Sequence, residues 1–273
     1  MCGRFSASRT AADLVHAFEV DEVQGLDEVD GGELAASWNV APTNDVYAVL
    51  ERLPRGDPDG QTRRLLRPVR WGLVPSWAKD PKIGSRLINA RVETLADKPA
   101  FKKAFAARRC VLPADGYYEW YDPSSNDPRS EPRSKGRLLK QPFFIRPRDG
   151  GILALAGLYE LWRDEDRERE DPRAWLWTAT VITTEATDDL GRIHDRMPMF
   201  IEADQVDAWL DPATDVADLR GLLVPAAPGM LEAYPVSVAV GNVKYDDPSL
   251  VEPITADESL VATARPADGD ALF

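Results

Sequence analysis

The feature that most constrains the fold is a set of apolar runs rich in β-branched and aromatic residues. They are DVYAVLE (45–51), RRLLRPVRWGLV (63–74), QPFFIRP (141–147), GILALAGLYELW (151–162), WLWTATVITTEA (175–186) and YPVSVAV (234–240). Such segments, punctuated by Gly, Pro and Asp, read as strands. RCVLPADGYYEWY (109–121) adds strand chemistry around a turn at Ala-Asp-Gly. Helical patterning is sparse and confined to stretches near 11–19, 93–108, 186–191 and 203–210. The first has Thr10 placed as an N-cap with Asp13 three residues on. No internal repeat, no G-x-G-x-x-G and no alternating βαβ rhythm occurs, which excludes a doubly wound sheet. The expectation is an α+β chain dominated by β-structure.

One domain spanning 1–247 accounts for this pattern, with solvated insertions near 51–66, 122–140 and 163–173. An acidic tail follows over 248–273. No run approaches the ~20 apolar residues of a membrane span, and the first ten residues lack the apolar stretch of a secretory signal. Two cysteines make no disulfide framework, so a reducing cytoplasm is expected, with no membrane partner. The net charge of −13 is unevenly spread. Between Arg63 and Arg109 stand thirteen Lys or Arg against three acids, a basic stretch able to meet a polyanion on an otherwise acidic body. No metal-ligand spacing and no cofactor motif is present, so neither is expected.

One of the two cysteines sits at position 2, where a chain end is normally least ordered. If Met1 is removed, the Cys2 thiol and a free α-amine share one carbon skeleton. The amine can condense with an aldehyde and the thiol can then close a five-membered ring. An α-amine titrates near pH ~8, far below lysine, so part of it is neutral at pH ~7 without any burial.

Seven motifs then occur in order: MCGRF (1–5), WNVAPT (38–43), RWGLVPSWAKD (70–80), NARVET (89–94), RRCVLPADGYYEW (108–120), TTEA (183–186) and HDRMP (194–198). Their order resembles the SOS response-associated peptidase (SRAP) family, over Met1 to about Tyr245. The resemblance implies a single β-rich domain with curved antiparallel sheets forming a barrel-like core flanked by a few helices. It also implies covalent capture of abasic sites in single-stranded DNA. The ring-opened sugar aldehyde would form a Schiff base and then a thiazolidine with Cys2.

On that resemblance Cys2, Asn89, Glu119 and His194 are the catalytic candidates. Glu119, between Tyr118 and Trp120, is placed for desolvation to raise its pKa toward neutrality, as an acid/base group needs. His194 brings a near-neutral side chain for proton transfer to the sugar oxygen, and Asn89 an amide that both donates and accepts. Arg4, Arg91 and Arg196 are candidate phosphate clamps. Trp71, Trp77 and Trp120 are candidate stacking platforms or wedges. Asn39 and Pro42 are candidate pocket-wall residues, and Cys110 reads as core. DNA, possible replication or repair proteins and a monomeric state complete the expected partners, with lyase chemistry and self-removal of Met1 as accompanying activities.

Two other functions stay open at this point. One is an N-terminal-nucleophile hydrolase, since class II glutamine amidotransferases also begin MCG; their Asn-Gly-Asp segment is missing here. The other is a module that binds DNA structure without a covalent step, for which an N-terminal Cys has no use.

Overall fold

The computed structural model describes residues 2–29, 31–53, 61–122 and 140–255. Most of the 122–140 insertion, residues 54–60 of the 51–66 insertion and the tail beyond 255 lie outside the described residues. In chain order the strands are β1 (Phe5–Ala7), β2 (Glu22–Val23), β3 (Ser37–Val40), β4 (Asp45–Arg52), β5 (Arg63–Trp71) and β6 (Asn89–Arg91). There follow β7 (Arg109–Ala114), β8 (Gly116–Tyr121), β9 (Gln141–Pro147), β10 (Leu153–Arg163), β11 (Trp175–Glu185), β12 (Arg196–Pro198) and β13 (Leu231–Pro235).

Strands β11, β10, β7, β4 and β5 pair in that order, and β5 closes the ring by pairing with β11. The result is a five-stranded barrel. A second sheet, β13-β9-β8-β1-β3, is antiparallel throughout. The barrel is not: β5 and β6 run parallel to β11, and β2 runs parallel to β5. The α+β, β-rich reading therefore holds, with parallel closure as the departure from all-antiparallel curvature.

Alternation along the barrel strands explains their near-continuous apolar sequences. Ala48, Leu50, Leu65, Leu112, Leu155 and Val181 join one core, which also takes in Cys2, Phe5 and Tyr117. Their neighbours Val49, Leu66, Val111, Ala156 and Ile182 face the opposite way, under helix residues such as Leu14, Phe105, Trp209 and Leu219. A strand buried on both faces cannot show a polar alternation.

The helices are α1 (Ala11–Ala17), α2 (Lys102–Ala107), α3 (Val206–Leu210) and α4 (Val216–Leu222). α1 carries the expected capping box between Thr10 and Asp13. The stretch at 93–108 is α-helical only over Lys102–Ala107, with a 3-10 turn at Val92–Thr94, and 188–192 is a 3-10 turn. α4 was not expected; its signal is Asp215, whose carboxylate caps the amides of Ala217 and Asp218. The run YPVSVAV is strand only to Pro235 and turns into a 3-10 segment at Val238–Gly241. The domain also continues beyond the expected limit at 247: Leu250 is buried and the Ile254 amide donates to the Pro235 carbonyl.

β7 and β8 are consecutive but belong to different sheets. The Ala-Asp-Gly turn is thus a switch between sheets, not a hairpin. Asp115 holds it, accepting from Ser6 Oγ at 2.9 Å and from the Ser8 amide at 2.7 Å. Gly116 is required by space: a Cβ there would lie 2.5 Å from the Phe144 ring and 2.6 Å from the Ile145 carbonyl oxygen. Gly116→Ala should therefore cost more than ~2 kcal/mol of stability through overpacking. Urea unfolding measures it, and a loss below ~0.5 kcal/mol would refute this account of the switch.

Candidate active site

β1 is an inner strand of its sheet, paired with the edge strand β3 on one side and with β8 on the other. Phe5 pairs with Val40 on one side and Tyr117 on the other, and its ring meets Trp71 of the barrel edge-on at 4.8 Å. This fixes Cys2 three residues upstream. The Cys2 carbonyl accepts from Asn89 Nδ2 at 2.7 Å, and its sulfur lies 3.7 Å from the Arg4 carbonyl oxygen. Asn89 is set by β6, which pairs in parallel with β11 opposite Val181. Its Oδ1 is buried and has no hydrogen-bond partner among the described residues.

Glu119 stands on β8 with 3 % of its surface exposed. Burial raises its pKa to about 7, partly opposed by the positive chain terminus and reinforced by the Asp195 charge. Cys2 is fully buried, and burial, then the Glu119 charge, push its thiol pKa well up. It is a neutral thiol at physiological pH. For His194, burial and then the chain terminus lower the pKa, against the Asp195 charge. The neutral ring accepts the Arg196 amide on Nδ1 at 3.0 Å, which leaves Nε2 to carry the proton. Once protonated, Nδ1 faces Asp195 Oδ1 at 2.9 Å. The structure thus brings Cys2, Asn89, Glu119 and His194 within electrostatic or hydrogen-bonding reach of one another or of the chain terminus.

A fifth group was missed in the sequence. Tyr117 lies two residues before Glu119, hence on the same face of β8. Its hydroxyl is buried without a partner among the described residues. Burial, with Cys2 and Glu119 adding to it, keeps this phenol neutral. Strand alternation counted back from Glu119 was the signal that could have found it.

Several candidates take other parts. Trp71 is fully buried and donates from Nε1 to the Ile88 carbonyl, so it is a core residue and not a stacking platform. Arg4 donates to Asn39 Oδ1 at 2.5 Å and to the Val240 carbonyl at 2.8 Å. Asn39 Nδ2 in turn binds the Val240, Asn242 and Tyr245 carbonyls, so this pair laces the 240–245 turn to the sheet. Arg196 forks onto Glu93 at 2.7 and 3.1 Å and also donates to the Thr183 carbonyl. Pro42 is half-buried in the β3–β4 turn, where Thr43 has φ 74°. Trp120 packs beside Tyr118 on the face of β8 away from Glu119. Trp77, by contrast, is 60 % exposed, and Arg91 is exposed.

The basic stretch divides likewise. Arg64 pairs with Glu51 and Asp207, Arg108 pairs with Glu160, and Arg109 is buried on backbone carbonyls. Its exposed members are Arg63, Lys79, Lys82, Arg86, Arg91, Lys98, Lys102 and Lys103; of these Lys79, Lys82 and Arg86 follow Trp77 on the segment leading into Asn89, and Arg91 stands just beyond it.

With this geometry in place the comparisons are decisive. The profile of the SOS response associated peptidase (SRAP) family matches residues 1–243. The chain belongs to the SRAP family. The abasic site processing protein YoqW of Bacillus subtilis is 38 % identical over 92 % of this chain and 99 % of its own length. The abasic site processing protein HMCES of Gallus gallus is 32 % identical over 93 % of this chain and 78 % of its own. A crystal structure of a Bacteroides thetaiotaomicron protein shares the fold, with a TM-score of 0.72 at 22 % identity over 93 % of this chain and all of that one. Among the described residues of this SRAP chain no cluster of three or more His, Cys, Asp or Glu could hold a metal, and no helix is long and apolar enough to cross a membrane.

The raised pKa of Glu119 has a measurable consequence. The native state holds this proton more tightly than the unfolded chain, so stability falls as pH rises from about 4.5 to about 7. The shift corresponds to roughly 3 kcal/mol at ~1.4 kcal/mol per unit. Glu119→Gln should remove most of that slope and leave the protein more stable than the parent at pH ~8. Chemical unfolding across pH 4–8 tests this; parallel curves for the two proteins would contradict it.

Proposed function

We propose that this protein captures abasic sites in single-stranded DNA through Cys2 after Met1 is removed. The observation that carries the reading is Cys2, anchored by Asn89 and by the doubly paired strand β1, beside a carboxyl titrating near pH 7. The names of the YoqW and HMCES relatives point to the same lesion.

The chemistry balances with one water released. The Cys2 α-amine attacks the C1′ aldehyde of the ring-opened sugar and gives a carbinolamine. Loss of water yields the imine. The thiol proton leaves as sulfur adds to the imine carbon, and the imine nitrogen gains a proton, closing a thiazolidine. Glu119, near half-ionised at neutral pH, takes a proton in one step and returns it in another. His194 carries the proton on Nε2 for the sugar oxygen as the ring opens. Asn89 holds the Cys2 carbonyl and so the direction of amine and thiol. Trp77 and the exposed cations from Lys79 to Arg91 form the approach for the strand. Lyase activity, self-removal of Met1 and a monomeric state belong to this reading.

Cys2 is fully buried, packed in one core with Phe5, Trp71 and Tyr117. A thiol reagent should therefore label Cys2 in the folded protein at least ten times more slowly than in the urea-unfolded chain; equal rates would contradict the burial of the thiol. The direct test mixes processed protein with a single-stranded oligonucleotide bearing one abasic site and takes the denatured intact mass. A stable adduct of the summed masses less water is expected. Cys2→Ala should abolish it, and Glu119→Gln and His194→Ala should slow it by up to ~10²-fold. A stable adduct formed by Cys2→Ala would overturn the assignment.

A further inference from the structure

We infer that the barrel mouth opposite the Cys2 site binds a nucleotide, with its phosphate on Arg52 and Arg63 and its base against Trp175. The two ends of the barrel are marked by the same strands. β5 runs from Arg63 to Trp71, and only its Trp71 end meets Phe5. β11 runs from Trp175 to Glu185, and only its far half pairs with Asn89 and Arg91. Six residues of strand from Trp175 to Val181 span on the order of 20 Å. A cleft of about 610 Å³ opens at the Arg63–Trp175 end, within the usual size of a small-molecule site.

Its lining is cationic and aromatic. Arg67 is 5 % exposed and lies 3.6 Å over the Trp177 ring, Arg52 lies 5.3 Å from the same ring, and Tyr159 stacks on it at 5.7 Å. Arg52 and Arg63 sit directly opposite each other in the β4–β5 register. Like charges in that position repel. The carboxylate in the described lining, Glu22, accepts from Gln24 Nε2 at 2.9 Å. Within the described lining three arginines therefore meet one carboxylate, on a chain of net charge −13. An anion between the guanidinium forks offsets this repulsion, and phosphate oxygens match the fork geometry. The Trp177 ring is already taken by Arg67 and Tyr159. Trp175 is half-buried and tethered through Nε1 to the Arg169 carbonyl at 3.2 Å, which leaves an oriented indole for a base. A nucleotide supplies both halves, as a free molecule or as a unit of a strand. This goes beyond lesion capture, since an intact nucleotide has no aldehyde to condense.

The experiment titrates the full chain with deoxyadenosine monophosphate, with inorganic phosphate and with an intact-base dA decamer, by calorimetry. The proteins are the parent, Arg63→Gln, Arg52→Gln/Arg63→Gln and Arg52→Lys/Arg63→Lys. Saturable monophosphate binding, at least tenfold weaker in the double Gln variant, supports the site with a free ligand. A decamer whose log affinity against log salt is shallower by about 0.7 per arginine removed, and restored by Lys, supports it with a strand ligand. Arg63 is exposed, so the single variant reads the effect even if the double variant loses its fold. Both ligands binding every variant like the parent would overturn the proposal, and phosphate binding as tightly as the nucleotide would overturn the base contact. Failure to cross-link an abasic strand would leave these titrations unaffected, so the two readings fail separately.

Discussion

Everything at the candidate site depends on how the chain terminus is held. A terminal strand usually frays, because it is paired on one side at most. Here β1 is paired on both sides, and the register puts Phe5 between Val40 and Tyr117. Phe5 then docks on Trp71, which joins this sheet to the barrel. Two polar braces finish the anchoring. Asn89 takes the Cys2 carbonyl from the barrel side, and Arg4 crosses to Asn39 and the Val240 carbonyl on the other. A reactive group on a disordered end would pay its ordering entropy at each encounter; Cys2 is ordered by these contacts beforehand, as the proposed chemistry requires.

The same anchoring sets the electrostatics. Placing Cys2 at the seam between sheet and barrel puts it among Phe5, Trp71 and Tyr117, where water is excluded. Burial then acts in opposite senses on the neighbouring groups. It raises the thiol and the carboxyl, and lowers the imidazole. All three are driven toward their neutral forms, and Glu119 is the one left near neutrality. The thiol is thereby kept as a proton carrier, inert until a base accepts its proton. That division suits a site in which amine attack precedes sulfur attack.

Much of this was legible in the sequence, and the failures have physical causes. The runs at 45–51, 141–147, 151–162 and 175–186 are strands because β-branched and aromatic side chains fit a sheet buried on both faces. The parallel closure of β5 on β11 was not legible, because pairing partners far apart in sequence leave no local trace. The Ala-Asp-Gly turn read as a simple turn because its chemistry is local, whereas the change of sheet at Gly116 is set by the Phe144 ring. Cys2, Asn89, Glu119 and His194 came from the motifs, and the structure gathers them. Tyr117 was passed over because a tyrosine beside apolar residues reads as core.

The arginines show where motif and role part company. Arg4, Arg91 and Arg196 all lie in matched motifs, yet their surroundings differ. Arg196 is nearly buried and spends its fork on Glu93 and Thr183, and Arg4 is half-buried on an amide and a carbonyl. A guanidinium satisfied by fixed protein acceptors gains little from a phosphate, since it must give up one partner for another. These two hold the walls on which the site is built: Arg196 also presents its own amide to His194 Nδ1. Arg91 stands two residues beyond Asn89, exposed to solvent, in the same basic stretch of chain as the exposed Trp77. Recognition of a polyanion by so acidic a chain draws on local excesses of positive charge, because a field at a groove is set by charges within a Debye length of it, about 8 Å at physiological salt. The acidic remainder of the surface repels a polyanion, so that binding is confined to those excesses.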